Sequence, residues 1–382
     1  MDFSFSKEQQ LIKDNIVAFA RKELNKDAIM RDREQEFSKE LWLRSVDQKL
    51  QGLPVESEYG GAGLDPVSTI IALEALGYGC TDGGLNFSVC AHLLACVIPI
   101  WKYGTEAQKK QYLPGLCDGT QIAANAMTES GSGSDAFAIK TKAEKTATGY
   151  VLNGIKTFTS NGPVADIILV YAVTDATKGY FGGISAFIID KNMPGVTIGE
   201  TFEKMGLRSC KMCEFIFENV TVPESAVLGA IGAGAGIFNY SMEWERTGIA
   251  ACHVGTMDRL LELSVNYAQT RVIGNEHIGK KQAIAHTIAG MKTQLEAARM
   301  LTYKAAAGID TSRDNAINAS VAKLFVSEAF RTIAMETLQI HGGNGYMTSY
   351  EIERTLRDAI GSTLYSGTSE IQKNIIAGWL GL

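Results

Sequence analysis

The sequence predicts an α+β chain in three consecutive parts: a helical domain over residues 1–121, a β domain over 122–231 and a helical bundle over 232–382. Three observations carry this. Near the N-terminus apolar residues recur at helical spacing. From Gly149 to Val222 the period shortens to that of strands. From about Ile237 to the end, long amphipathic stretches are broken only at Gly274–Gly279, Gly308–Asp314 and Gly342–Gly345, the pattern of a bundle with short connections.

In the first part, Ser6 followed by Gln9 suits a capping box. Ile12, Ile16, Phe19 and Ala20 then line one apolar face. Gly60, Gly61 and Gly63 mark a loop. Helical patterns resume near Val67 and run toward Leu113, with Pro114 expected to stop them. In the second part, Tyr150–Leu152, Asn153-Gly154 and Lys156–Thr159 read as a hairpin with a tight primed turn. Asp166–Val173, Ile184–Ile189 and Cys213–Val222 are rich in Val, Ile and Phe and read as strands. The glycines at 232, 234 and 236 lack the preceding strand and βαβ setting of a dinucleotide fingerprint, so a hinge between domains is expected there. There is no internal repeat and no low-complexity tail.

The chain has 382 residues, 46% hydrophobic and 20% charged, enough apolar surface for sizeable cores and too much for disorder. The net charge is −6 and no basic block stands out, which argues against nucleic acid as a partner. Seven cysteines at scattered spacings do not form a disulfide framework, so a reducing cytoplasm is expected. Cys210 and Cys213 form a lone CxxC without a nearby His, and no metal is expected. The opening MDFSFSKEQQ lacks the basic-then-apolar pattern of a leader. No apolar run is expected to reach the roughly 20 residues that span a bilayer, so no membrane partner is expected.

Four segments carry chemistry: Met127–Asp135 (MTESGSGSD), Lys156–Gly162 (KTFTSNG), Gln339–Tyr346 (QIHGGNGY), and Arg357–Ala359 (RDA) followed by Tyr365–Gln372 (YSGTSEIQ). Gly131 and Gly133 permit close backbone approach to a ligand, and Thr128, Ser132 and Ser134 supply hydroxyl donors. Four such motifs in this order, on a helix–sheet–helix layout, resemble the acyl-CoA dehydrogenase family over essentially the whole chain. The resemblance implies an N-terminal helical domain, a middle β-barrel domain and a C-terminal helical bundle, with FAD as cofactor. It implies FAD contacts at Met127, Thr128, Ser134 and Ser160, with Phe158 packed on the flavin ring. Across a neighbouring subunit it implies contacts from Arg271, Gln282, Gly342 and Gly343, with Gln339 a further cofactor contact and Thr368 and Glu370 near the last helix. A homotetramer, a dimer of dimers, follows from the same resemblance. Ser134, Arg246, Tyr365 and Ser366 fall at substrate-contact positions.

Three departures from the family pattern stand out. Ser130 replaces a usual Pro, and Gly274 stands where many members have an aromatic near Arg271. Ser366 occupies the position where most members carry the Glu that removes the α-proton of an acyl thioester. A serine hydroxyl has no useful basicity near neutral pH, and loss of a general base costs on the order of 10²–10⁴-fold. In members acting on branched or long acyl groups the base sits instead on the first long helix of the C-terminal domain, immediately before an Arg. Glu245, in Trp244-Glu245-Arg246, holds that place. Glu243 is two residues away, on another face of the helix.

Ser366–Ser369 together with Trp244–Arg246 resembles the family's dehydrogenases and oxidases of prolyl groups held on carrier proteins, including the pyrroline-forming type of the anatoxin toxin pathway. The resemblance implies an L-prolyl thioester on the phosphopantetheine arm of an acyl or peptidyl carrier protein as substrate, and a 1-pyrroline-5-carboxyl thioester as product. Two other readings stand beside it: a short- or branched-chain acyl-CoA dehydrogenase with its base on the helix, and a flavoprotein-like binding scaffold without catalysis. Oxygen or another flavoprotein as electron acceptor is left open by the motifs.

Overall fold

The computed structural model describes residues 4–382; residues 1–3, the start of the segment read for a leader, lie outside the described residues. The N-terminal part contains helices α1 (Lys7–Glu23), α2 (Ala28–Glu34), α3 (Lys39–Ser45), α4 (Pro66–Gly79), α5 (Gly83–His92), α6 (Ile98–Tyr103) and α7 (Glu106–Cys117). The expected capping box opens α1: Gln9 N–H donates to Ser6 Oγ at 3.1 Å, and Ser6 N–H donates to Gln9 Oε1 at 3.0 Å. Ile16 and Ala20 bury the predicted face.

Two expectations for this part are corrected. Pro114 does not stop α7, which runs three residues further to Cys117, where Asp118 N–H donates to Pro114 O at 3.0 Å. Gly83–Tyr103 is one continuous helical run of 21 residues, α5 and α6 joined by a π turn at Leu93–Val97. By length and composition it could cross a membrane, contrary to the expectation that no run is so long. The run contains Asn86, Ser88 and His92, and 89% of its apolar window is buried inside the protein.

The middle part is an eight-stranded sheet of β1 (Ala123–Ala126), β2 (Lys142–Lys145), β3 (Gly149–Ser160), β4 (Ile167–Val173), β5 (Ile184–Asp190), β6 (Val196–Thr201), β7 (Met212–Pro223) and β8 (Val227–Leu228). Its hydrogen-bonded path is β6-β7-β3-β2-β4-β5-β8, with β1 parallel to β4. The expected barrel is thus, by its hydrogen bonding, an open sheet with ends at β6 and β8. The hairpin read at Asn153-Gly154 is also corrected. β3 continues straight through it, and the register against β7 slips between Leu152 and Gly154. Asn153 bonds Asn219 across this bulge, its Oδ1 accepting from Asn219 N–H at 2.8 Å. The actual tight turn precedes β3, where Thr146 N–H donates to Gly149 O between β2 and β3.

The C-terminal part begins with α8 (Gly234–Thr270), followed by the short pair β9 (Val272–Ile273) and β10 (Glu276–His277), then α9 (Gln282–Gly308), α10 (Asn315–His341), α11 (Gly343–Tyr346), α12 (Ile352–Ser362) and α13 (Ser369–Trp379). The expected hinge at Gly232 is an anchored entry: its N–H donates to Ser185 Oγ on β5 at 2.9 Å, and α8 starts two residues on.

Strand periodicity explains how the parts join. On β4, Ile167, Leu169 and Tyr171 enter the core of the N-terminal helices, while Ile168, Val170 and Ala172 enter a separate core with Phe187, Phe215 and Phe217. This central strand is therefore buried on both faces. The first core extends to Ile237, Trp244 and Ile249 on α8; a third core joins the rest of α8 to α9, α10 and α12. One helix thus belongs to two cores, which fixes its position against all three parts.

Candidate active site

α8 carries Glu245 and Arg246 about three turns from its start. The loop between α12 and α13 delivers Tyr365 and Ser366. Ser366 has a left-handed backbone (φ 55°) that turns its hydroxyl toward α8. Its Oγ donates to Glu245 Oε1 at 2.5 Å. The vacated base position and the candidate base are therefore in direct contact. Burial raises the pKa of Glu245, opposed by the Ser366 hydrogen bond and the charges of Arg246 and Lys323. Glu243 faces elsewhere, within 3.5 Å of Asn315 Nδ2 at the start of α10, and burial raises its pKa too.

Tyr365 is held on both sides. Its ring packs on Phe87 of α5 at 4.6 Å, and its hydroxyl shares a 2.8 Å hydrogen bond with His253 Nε2. Burial holds His253 down to about 3, so it is neutral, and its ring stacks on Phe330 at 4.7 Å. A small cavity between α8, α10 and this loop is lined by Arg246, His253, Lys323, Tyr365 and Ser366.

The β-domain candidates converge on the same end of α5. Ser88, next to Phe87, accepts through its carbonyl from Asn161 Nδ2 at 2.9 Å, and Asn161 follows Ser160 at the end of β3. Thr128 O accepts from Thr157 N–H at 2.8 Å, joining the loop after β1 to the same strand. Phe158 lies at a register slip between Lys156 and Thr159, with φ 52°; the residue is 58% exposed, its ring beside Phe202. An aromatic presented this way on strained backbone is a surface for a planar ligand. Around Gly131 and Gly133 there is open space within 4 Å of an added Cβ, and Ser134 is exposed beside them. The Met127–Thr128 loop and the Phe158–Ser160 end of β3 are thus joined to each other, and Asn161 ties that end of β3 to α5 at Ser88.

Arg271, Gln282, Gln339, Gly342 and Gly343 are all exposed and gather at the other end of α8, where Tyr267 stacks on His341 at 4.2 Å and its hydroxyl accepts from Asn344 Nδ2. The structure does not bring them to Glu245 within one chain. Thr368 caps α13 by accepting from Ile371 N–H, and Glu370 is exposed in the first turn.

Family descriptions match the chain in three pieces: "Acyl-CoA dehydrogenase, N-terminal domain" over residues 6–120, "middle domain" over 124–220 and "C-terminal domain" over 232–381. The chain belongs to the acyl-CoA dehydrogenase family. Within the family it is 38% identical to an L-prolyl-[peptidyl-carrier protein] dehydrogenase of a Serratia species, covering 100% of this chain and 99% of that one. The solved prolyl acyl carrier protein oxidase AnaB superposes with a TM-score of 0.97 at 42% identity, covering 99% of this chain and 100% of the other. A structure of PigA with FAD and proline gives a TM-score of 0.97 at 38% identity, with both chains fully covered.

Some residues at the site escaped sequence reasoning. Lys156, wholly buried, donates from Nζ to Met127 O and to Glu129 Oε1, both at 2.9 Å. Glu129 also accepts from Lys140 N–H, Thr141 N–H and Thr141 Oγ1. Burial works to raise the Glu129 carboxyl, and Lys156 with these donors outweighs it and lowers it; burial lowers Lys156 to about 8. Lys323 and Gln372, beneath Ser366, were missed as well. Their only sequence signal is a charged or amide residue on an otherwise buried helix face.

Among the described residues no three His, Cys, Asp or Glu side chains cluster to hold a metal, and all seven cysteines are free and buried.

Proposed function

We propose that this chain is an FAD-dependent enzyme that oxidises an L-prolyl thioester on an acyl or peptidyl carrier protein to a 1-pyrroline-5-carboxyl thioester, in natural-product biosynthesis. The observation that carries this is the Ser366–Glu245 contact: the loop position holds a neutral donor and the carboxylate comes from α8. The prolyl-carrier dehydrogenase and oxidase among the similar proteins support the substrate, and the PigA structure with FAD and proline supports the cofactor.

Met127, Thr128, Phe158 and Ser160 would hold FAD, which would supply a hydride acceptor. Everything else falls to the chain. The substrate loses one proton and one hydride. Glu245 takes the proton onto a carboxylate oxygen, and its raised pKa makes it a stronger base than an exposed Glu. Phe87 and Tyr365 close the space beside it and exclude water, while Arg246 and Ser366 border the thioester.

The same reading takes the protein as a homotetramer, a dimer of dimers. About 33 Å of helix separates Glu245 from Tyr267. The Glu245 site and the cluster around Gly342 are thus distinct in one chain, and a neighbouring copy would supply Arg271, Gln282, Gln339, Gly342 and Gly343 to the cofactor.

The test is anaerobic flavin bleaching. Holoprotein mixed with L-prolyl-loaded carrier protein is expected to bleach, and with butyryl- or isovaleryl-CoA it is expected not to. Bleaching by the acyl-CoA substrates alone would make the protein an acyl-CoA dehydrogenase, and no bleaching at all would leave a binding scaffold. Glu245→Gln should keep its flavin and lose on the order of 10²–10⁴-fold in the bleaching rate. Full activity in that variant would remove Glu245 from the role of base.

A further inference from the structure

Ser366 sits in a costly place for a serine. Its φ of 55° is the left-handed region, which a side chain with a Cβ disfavours and glycine enters freely. A loop needing only space beside the substrate would be better served by glycine there. The surroundings hold the strained conformation in place. Ser366 O accepts from Arg246 Nε at 3.2 Å and from Gln372 Nε2 at 3.0 Å. Gly367 O accepts from Lys323 Nζ at 2.7 Å and from the same Gln372 Nε2 at 3.0 Å. Lys323 and Gln372 are themselves buried, and Tyr365 on the other side is pinned by His253 and Phe87. With both carbonyls clamped, the hydroxyl has one outlet, Glu245 Oε1.

We infer that Ser366 is a positioning residue: a clamp of Arg246, Lys323 and Gln372 fixes its hydroxyl as a donor to Glu245, orienting that carboxylate and keeping it ionised in a buried site. This rests on the reading of Glu245 as base. The hydroxyl favours the carboxylate over the neutral acid, because only the charged form accepts so strong a bond. The other groups facing Glu245 come from every element packed on it. Arg246 on α8 and Lys323 on α10 favour its charge. Cys90 and Cys96 approach from α5 and the π turn, Tyr171 from β4 and Tyr365 from its own loop. Cys90 is pushed up by its hydrogen bond with Cys252 and by burial, and the other three by burial, so all four stay neutral in the working range.

Removing the hydroxyl should raise the pKa of Glu245, so the base is protonated at a higher pH and activity falls on the acid side. The experiment uses Ser366→Ala and Ser366→Gly holoenzymes. Glycine removes the donor and relieves the backbone at once, which separates the bond from the strain and covers failure of the alanine variant to fold. Anaerobic reduction by prolyl-loaded carrier protein is followed across pH. Both variants should shift the acid limb upward by about one pH unit, a roughly tenfold slower rate on that limb relative to each variant's own plateau.

A substrate-independent readout accompanies this: infrared difference titration of the resting holoenzyme, with Glu245→Gln identifying the Glu245 carboxyl band. That band should persist to higher pH in both variants. An unmoved band and limb in both would overturn the inference while Glu245→Gln remains inactive. An active Glu245→Gln instead overturns the base assignment itself. A shift in Ser366→Ala that vanishes in Ser366→Gly would assign the effect to backbone strain and overturn the role of the hydroxyl.

Discussion

Lys156 is a buried charge beneath the segments of the proposed flavin site. Its ammonium lies under the loop that carries Met127 and Thr128 and on the strand that carries Phe158 and Ser160, and it bonds both Met127 O and Glu129. Breaking a buried pair on one side leaves the other charge without its partner, which costs about 3–5 kcal/mol. Lys156→Met should therefore lower stability by about that amount and weaken flavin binding at least tenfold, read by denaturant unfolding and by flavin fluorescence titration. Adding Glu129→Gln should restore part of the stability, because the orphaned charge is removed. If flavin affinity stayed at the wild-type value in Lys156→Met, the pair would serve the fold alone. Glu245 could be read from its neighbours Trp244 and Arg246 and from the missing carboxylate at 366. Lys156 could not be read as buried, because its partner is 27 positions earlier and only the pairing of the 127–129 loop with β3 joins them. Lys323 and Gln372 were hidden for the same reason: their acceptors are main-chain carbonyls exposed by the turn at 366–367.

Among the elements, α8 sets the geometry, and its contact with α4 depends on the absence of side chains. A Cβ on Gly255 would fall 1.9 Å from Glu74 O, and a Cβ on Gly77 would fall 1.9 Å from Cys252 O. The two helices touch backbone to backbone at these points. Gly255→Ala must push them apart, with a stability loss of about 1–3 kcal/mol or more. Glu245 lies ten residues earlier on the same helix, so the displacement reaches the proposed base. Misplacement by about 1 Å costs up to roughly 10²-fold in rate. The variant is expected to lose turnover with flavin content retained; unaltered turnover in a folded, destabilised protein would show that α8 absorbs the shift locally. Helical periodicity and the Ser6–Gln9 box made the helices legible. Local turn chemistry misled twice, at Asn153-Gly154 and at Pro114. At the first a neighbour decided, since β7 pairs along β3 and turns the dipeptide into a bulge; at the second the helix carries on to Cys117, with Asp118 N–H closing on Pro114 O. Gly83–Tyr103 was under-read because its polar residues interrupt the apolar run, yet they are buried with it.

Across the whole molecule, the helix–sheet–helix order was legible because each part has its own period. The sharing of one core among parts was not, since periodicity names a buried face without naming what covers it. His92 stands at that junction. It lies on α5, shares a 3.0 Å hydrogen bond from Nε2 with Leu116 O at the end of α7, and accepts at Nδ1 from Ala123 N–H, where β1 begins, also at 3.0 Å. A ring that accepts at Nδ1 is the neutral tautomer with its proton on Nε2, so Nε2 donates to Leu116 O. Protonation would set two N–H groups against each other at Ala123. Burial accordingly holds His92 down to about 4, below its usual 6.5. Between those values the unfolded chain takes up a proton that the folded chain refuses, so stability present above pH 6.5 is lost as pH falls toward 4. The contribution of this ring is about 1.4 kcal/mol per pH unit across the window. Asp358, pushed up to about 7 by burial, acts in the opposite sense over the same range, so the measurement is a difference. Guanidinium unfolding of wild type and His92→Gln from pH 7 to pH 4 should give a wild-type slope steeper by about that amount. Parallel curves would mean that His92 titrates in the folded protein as it does in the unfolded one, and that the α5–α7–β1 junction tolerates its charge.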